Sequence, residues 1–235
     1  MLACGPVANE DLKELLATGT RILYEHGLVD AYGHLSYRLP DTDRFLINPH
    51  QSPALLRAET VITMNLNGDV VEGDGEPNTE WYIHACIYAA RPDVFSVCHA
   101  HTEMSILFSM SPVGLRPMVG QTSPRFGVEP LPVYPYPKLI QDRQRGDRLA
   151  NTLGDRNAVL LRGHGCAVTG KDIPETVVRT IELERNGRLL QQCLAMGKGE
   201  PRWWTEEEAA EWADMRSTPR GRNRAWEYYT TRPPR

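Results

Sequence analysis

Two histidines one residue apart, His99-Ala100-His101, close the apolar run Val94-Phe95-Ser96-Val97-Cys98, and a third, His164, stands between Gly163 and Gly165 after Ala158 to Leu161. A short apolar run reads as a buried strand, and residues i and i+2 on a strand point to one face. His99 and His101 therefore form a pincer, and the chain is constrained to bring His164 to it from a second strand end. The flanking glycines let the backbone approach closely there. Three imidazoles with an open position are what a catalytic divalent metal site requires.

The 235 residues suffice for one large or two small domains with a sizeable core. A formal charge of −4 leaves no basic footprint, so no nucleic acid partner is expected. The segment Arg216 to Arg235 is rich in arginine, interleaved with Trp226, Tyr228 and Tyr229, and reads as a tail packed on a neighbouring subunit. Five cysteines (Cys4, Cys86, Cys98, Cys166, Cys193) include no Cys-x-x-Cys pair, so reduced thiols in a cytoplasmic protein are expected. Cys98 and Cys166 alternate away from the histidines and read as core residues. No apolar run approaches transmembrane length, and Met1 to Gly5 lacks a charged region followed by a hydrophobic one, so a soluble protein without a membrane partner is expected.

The periodicity predicts a helix capped by Asn9, apolar at Leu12, Leu15, Leu16, Ile22 and Leu23 and stopped by Gly27, with His26 facing the dipole in its last turn. Strands follow over Arg44 to Asn48, Val61 to Leu66 and Val70 to Val71, the last two joined by the hairpin signal Asn67-Gly68. A helix beginning at Asn78 or Thr79 runs through Ala89 and ends at Arg91-Pro92. Val94 to His99 is a strand, and Thr102 caps a helix through Phe108. After the Pro-rich Ser111 to Lys138 come a helix over Gly146 to Leu153 and the strand Ala158 to Leu161. Asp172-x-Pro174 opens a long helix stopped by Gly197, and Thr205-Glu206-Glu207-Glu208 is a capping box for a final one. One α/β domain results, with helices on both faces of a mostly antiparallel sheet.

Just before the helix that precedes the His-x-His strand lies Asn78-Thr79-Glu80. A carboxylate at a helix start is explained by the dipole alone; a functional role needs Glu80 to face the metal as ligand or acid/base. Taken in order, Thr79-Glu80-Trp81-x-x-His84, Arg91-Pro92-Asp93, His99-Ala100-His101 and Arg162-Gly163-His164-Gly165 resemble the class II aldolase/adducin family, from about Gly33 to Gly197. The resemblance implies a single α/β/α domain over residues 1–235, with its core at about 9–197 and a C-terminal helix and tail at 205–235. It implies a homotetramer with active sites between subunits. It also implies His99, His101 and His164 as ligands of one divalent ion (Mn, Fe, Co or Zn) per subunit, and Glu80 as the catalytic glutamate, able to touch the metal when no substrate is bound.

Three departures bear on substrate. Sugar-phosphate aldolases of this family hold phosphate with a Gly-Asn-x-Ser turn, a Thr- or Ser-Gly turn and a Ser-Ser pair. Here these read Gly33-His34-Leu35-Ser36, Asn48-Pro49-His50-Gln51-Ser52-Pro53 and Asn78-Thr79. Phosphate cradles need free backbone N–H groups, which Pro49 and Pro53 do not supply. The family's protonating tyrosine is also missing from Ser111 to Gly127, leaving Tyr134 or a tail tyrosine as substitutes. These changes resemble the decarboxylase branch, acting on hydroxylated aromatic or pyridine dicarboxylates. In that reading His34, Ser36, His50, Ser52 and Thr79 contact substrate, Arg116 and Arg125 pair with its carboxylates, and His84 is structural support. Two alternatives stay open: an aldolase of a non-phosphorylated hydroxy acid or sugar acid, and a non-catalytic adducin-like scaffold module.

Overall fold

The computed structural model describes residues 9–119, 123–197, 199–215 and 219–231. Cys4, Gly120 and the ends of the Arg216 to Arg235 segment lie outside them. Asn9–Glu25 forms α1, and Gly27, at φ +66°, ends its last turn. A meander follows: β1 (His34–Arg38), β2 (Arg44–Ile47), β3 (Ile62–Asn65) and β4 (Val70–Glu72). Then come α2 (Tyr82–Ala90), β5 (Ser96–Ala100), α3 (Glu103–Met110), α4 (Ser123–Phe126) and β6 (Val133–Tyr134). The chain continues through α5 (Arg143–Leu153), β7 (Ala158–Leu161), β8 (Gly165–Gly170), α6 (Ile173–Ala195), α7 (Glu206–Met215) and α8 (Pro219–Thr231).

The eight strands form one sheet in the order β4-β3-β2-β1-β5-β8-β7-β6. Only the β6–β7 pair is parallel, so the expected mostly antiparallel sheet is present. Alternation along the strands builds a core on each face. Leu35, Leu46, Cys98, Leu160 and Val168 meet α1, α3 and α6 on one side, while Phe45, Ile62, Val97, Val159 and Ala167 meet α2 and α5 on the other. No described helix is long and apolar enough to cross a membrane.

The helix signals act as expected. Thr102 Oγ1 accepts from Ser105 N (3.3 Å) at the start of α3, and Asp172 Oδ1 accepts from Glu175 N (2.7 Å) at the start of α6. Thr205 and Glu208 make both bonds of the capping box, at 3.1 and 2.9 Å. Three readings are corrected. Both β1 and β8 are full strands of the sheet where no strand was predicted. The helix expected from Asn78 starts at Tyr82, and Thr79 to Trp81 is a turn before it. The tail is corrected in its described part: Trp226 and Tyr229 of α8 pack on the chain's own core, with the Tyr229 ring 5.1 Å edge-on to His26. Aromatic side chains gain most by burying their area at once, and α1 and α6 offer that surface within the subunit.

Candidate active site and metal centre

β5 ends at the sheet's middle, between β1 and β8, and carries His99 as a cross-strand partner of His34 on one side and of Ala167 on the other. Directly opposed residues of an antiparallel pair share a face. His34 and His99 therefore stand side by side toward α2, their ring centroids 5.0 Å apart. His101 follows two residues on, just past the strand end. His164 sits in the tight turn from β7 to β8, which Gly163 makes at φ +66° and His164 N closes onto Leu161 O at 2.9 Å. Gly165 is required for close approach: a Cβ there would run into the Ala100 carbonyl.

The three imidazoles converge. Nε2 of His101 lies 3.0 Å from Nε2 of His99 and 3.1 Å from Nε2 of His164. His99 Nδ1 donates to the Cys166 carbonyl at 3.0 Å, which places its lone pair on Nε2, toward the other two rings. Burial lowers the pKa of His99 well below the ordinary value and, with the neighbouring His164, lowers that of His101. Neutral imidazoles with lone pairs at this spacing are separated as ligands of one ion about 2.0–2.1 Å away would be. The donor set fits a divalent metal.

Glu80 closes the fourth side. Its Oε2 is 3.5 Å from His164 Nε2 and 3.8 Å from His99 Nε2, and its Oε1 accepts from Ile140 N at 2.8 Å. Burial raises its carboxyl above the ordinary value, against the pull of His164 and the Ile140 N–H. The helix dipole alone does not account for this placement, because one oxygen is held by Ile140 N and the other faces the histidines. Cys98 and Cys166 are buried on the opposite face, and burial pushes both thiols up, as expected of core residues.

The imidazoles open into a cleft of about 490 Å³. His34, His50, Ser52 and Thr79 line it. Two sequence expectations are corrected here. Ser36 is fully buried beneath His34, bonded to His84 and Tyr88, because β1 turns it inward under α2. Arg116 and Arg125 do not line the cleft: Arg116 pairs with Glu129 (3.3 Å) over the Trp203 ring, and Arg125 pairs with Glu182 (2.6 Å). Sequence reasoning passed over Tyr32, an exposed phenol at the mouth whose ring lies 6.2 Å from His101. Its place two residues before His34 was the only signal. Tyr134 is buried in the second core and does not line the cleft.

Residues 14–190 match the family described as the class II aldolase and adducin N-terminal domain. The chain is 29% identical to a 3,4-dihydroxyphthalate decarboxylase of Arthrobacter keyseri, over 82% of each chain. It is 31% identical to the decarboxylase tropJ of Talaromyces stipitatus, over 77% of this chain and 78% of that one. An L-fuculose 1-phosphate aldolase has the same fold, with a TM-score of 0.79 at 24% identity, covering 92% of this chain and 100% of the other. The chain belongs to the class II aldolase and adducin N-terminal domain family. Its relatives named as decarboxylases mark it as a lyase.

Proposed function

We propose that this lyase is a metal-dependent, non-oxidative decarboxylase of a hydroxylated aromatic or pyridine dicarboxylic acid, working in aromatic catabolism. The observation that carries the reading is the wall of the cleft where phosphate aldolases cradle phosphate. His50 N is spent on Glu76 O and Gln51 N on Pro49 O, both at 2.7 Å, and Pro49 and Pro53 have no N–H. A phosphate there would find imidazoles instead of a nest of free donors. The likeness to a dihydroxyphthalate decarboxylase supports the aromatic substrate.

His99, His101 and His164, with Glu80 before substrate enters, would hold one divalent ion, of which Mn, Fe, Co and Zn suit the donors. When bound, that ion supplies a Lewis acid that stabilises negative charge on a ring oxygen and the neighbouring carboxylate. His34 and His50 hold the substrate's oxygens from the cleft wall, and Ser52 and Thr79 add hydroxyl contacts. As the ring–carboxylate bond breaks, carbon dioxide leaves and the electron pair stays with the ring. Glu80 Oε2, or a water it holds, then returns a proton to that ring carbon. Burial raises this carboxyl above the ordinary carboxylate value, the direction that favours its protonated form.

Supplying 3,4-dihydroxyphthalate and a pyridinol dicarboxylate to metal-loaded enzyme should release carbon dioxide. Aldehyde release from a non-phosphorylated hydroxy acid, with no carbon dioxide, would favour the second reading, an aldolase. That reading has one observation of its own, the Tyr32 phenol poised to protonate a leaving fragment.

The assembly belongs to the same proposal: a homotetramer with active sites at subunit interfaces. Met110 and Leu139 are 60% and 45% exposed beside His101 and His164, an apolar rim that a second copy would cover. Light scattering should give the four-chain mass; a stable, fully active monomer would refute the shared site. The free thiols of Cys86, Cys98, Cys166 and Cys193 support a cytoplasmic setting.

A further inference from the structure

A row of hydrogen-bonding side chains runs from His34 into the core, and the metal site makes no use of it. His34 Nδ1 lies 2.6 Å from His84 Nε2, His84 Nδ1 lies 2.6 Å from Ser36 Oγ, and Ser36 Oγ lies 2.6 Å from Tyr88 OH. Residues 34 and 36 share a face of β1, and residues 84 and 88 share a face of α2. Ser36, His84 and Tyr88 are fully buried, and His34 is nearly so. Burying four such groups is costly unless each bond is made, and the other acceptor of the Ser36 hydroxyl, the Val97 carbonyl, lies at 3.5 Å, longer than any link of the row, so the links favour one consistent direction.

Each neutral member brings one hydrogen for these links, and three links use three of the four. If donation runs inward from His34, the fourth hydrogen is left on Tyr88. The acceptor it then faces is the Phe95 carbonyl, shared with Arg38 N at 2.7 Å and itself 3.4 Å away, a longer bond than any link of the row. If donation runs outward, Tyr88 donates to Ser36, Ser36 to His84 Nδ1, and His84 Nε2–H to His34 Nδ1. The fourth hydrogen then stands on His34 Nε2. In this direction three of the four hydrogens lie on 2.6 Å contacts, and the fourth belongs to the residue that lines the cleft. Burial holds His84 neutral, its pKa pushed down to about 3, as the row requires.

We propose that Ser36, His84 and Tyr88 are positioning residues that fix His34 with its hydrogen on Nε2, so that the cleft presents an N–H donor beside His99 to a substrate oxyanion. His34 is then the opposite tautomer of His99, whose Nδ1–H is tied to Cys166 and whose Nε2 offers a lone pair. The pairing sorts the cluster: lone pairs of His99, His101 and His164 for the ion, and the hydrogen of His34 for a carboxylate or phenolate oxygen. It deepens the decarboxylase reading, and the substrate half rests on that reading.

The test is long-range nitrogen–proton correlation on histidine-labelled enzyme loaded with zinc, combined with kinetics on the catechol dicarboxylate of the assay above. Wild type should show His34 and His84 protonated at Nε2 and bare at Nδ1. Ser36→Ala should break the single tautomer at His34 and raise KM about tenfold, the scale of one weakened bond to a charged group, with metal content unchanged. Tyr88→Phe should move both readouts in the same direction by less. Protonated Nδ1 at His34 in wild type overturns the proposal, and so does a folded Ser36→Ala enzyme with unaltered tautomers and KM. A wild type with the expected tautomers but no turnover supports the row and refutes the aromatic substrate instead.

Discussion

Glu80→Gln keeps the metal and loses turnover by at least ~100-fold, the usual scale for an acid/base group. Three histidines suffice to hold the ion, and the amide keeps an oxygen that can accept the Ile140 N–H at the 2.8 Å contact. What it cannot do is give or take the proton at Oε2, the atom turned toward His164 and His99. Packing changes little, because the substitution is nearly isosteric. If Glu80 served only the α2 dipole, the loss would be ~0.3–1 kcal/mol of stability with chemistry intact. Turnover of metal-loaded Glu80→Gln, read beside its metal content and melting curve, separates the two. Near-normal turnover removes Glu80 from the catalytic list.

His164→Ala lowers divalent-metal affinity by more than ~100-fold and abolishes activity, while the metal-free protein unfolds as the wild type does. Loss even of a ligand's supporting partner typically costs ~10–100-fold, and loss of the ligand itself costs more. His164 is the ligand to choose, because its side chain is partly exposed in the β7–β8 turn. His99 is wholly buried, and its removal would also leave a cavity. Elemental analysis after dialysis against a weak chelator gives the stoichiometry. One ion retained per His164→Ala subunit would mean that the three imidazoles do not share it.

Much of this site was legible in the chain. The His-x-His spacing fixes which face two ligands share whatever the strand pairs with, and the glycines around His164 announce a turn and a close approach. Helix ends were legible for the same local reason: Thr102, Asp172 and Thr205 each act on backbone within three residues. β1 and β8 were not. His34-Leu35-Ser36-Tyr37-Arg38 carries polar residues at positions that became buried, and its pattern makes sense only once α2 supplies His84 and Tyr88 as partners. Gly165 to Gly170 has only Val168 and Thr169 as strand formers between terminal glycines that allow the close approach of β5 and α6.

Side-chain partners across long separations were likewise beyond reach. Arg116 and Arg125 were free cations in the sequence; in the fold Glu129 and Glu182 claim them. Ser36 belonged to a substrate-turn motif until the strand turned it under the cleft. Tyr32 joined the cleft because β1 begins beside it. The sequence by itself determined the residue types available to the site and the strand face of the histidine pair, since these depend on chemistry and short-range geometry. Only the tertiary structure decided which polar groups meet, because hydrogen-bond partners distant in the chain, such as His84 and Tyr88 about fifty residues from His34 and Ser36, are selected by packing, and with them the direction in which His34 points its hydrogen.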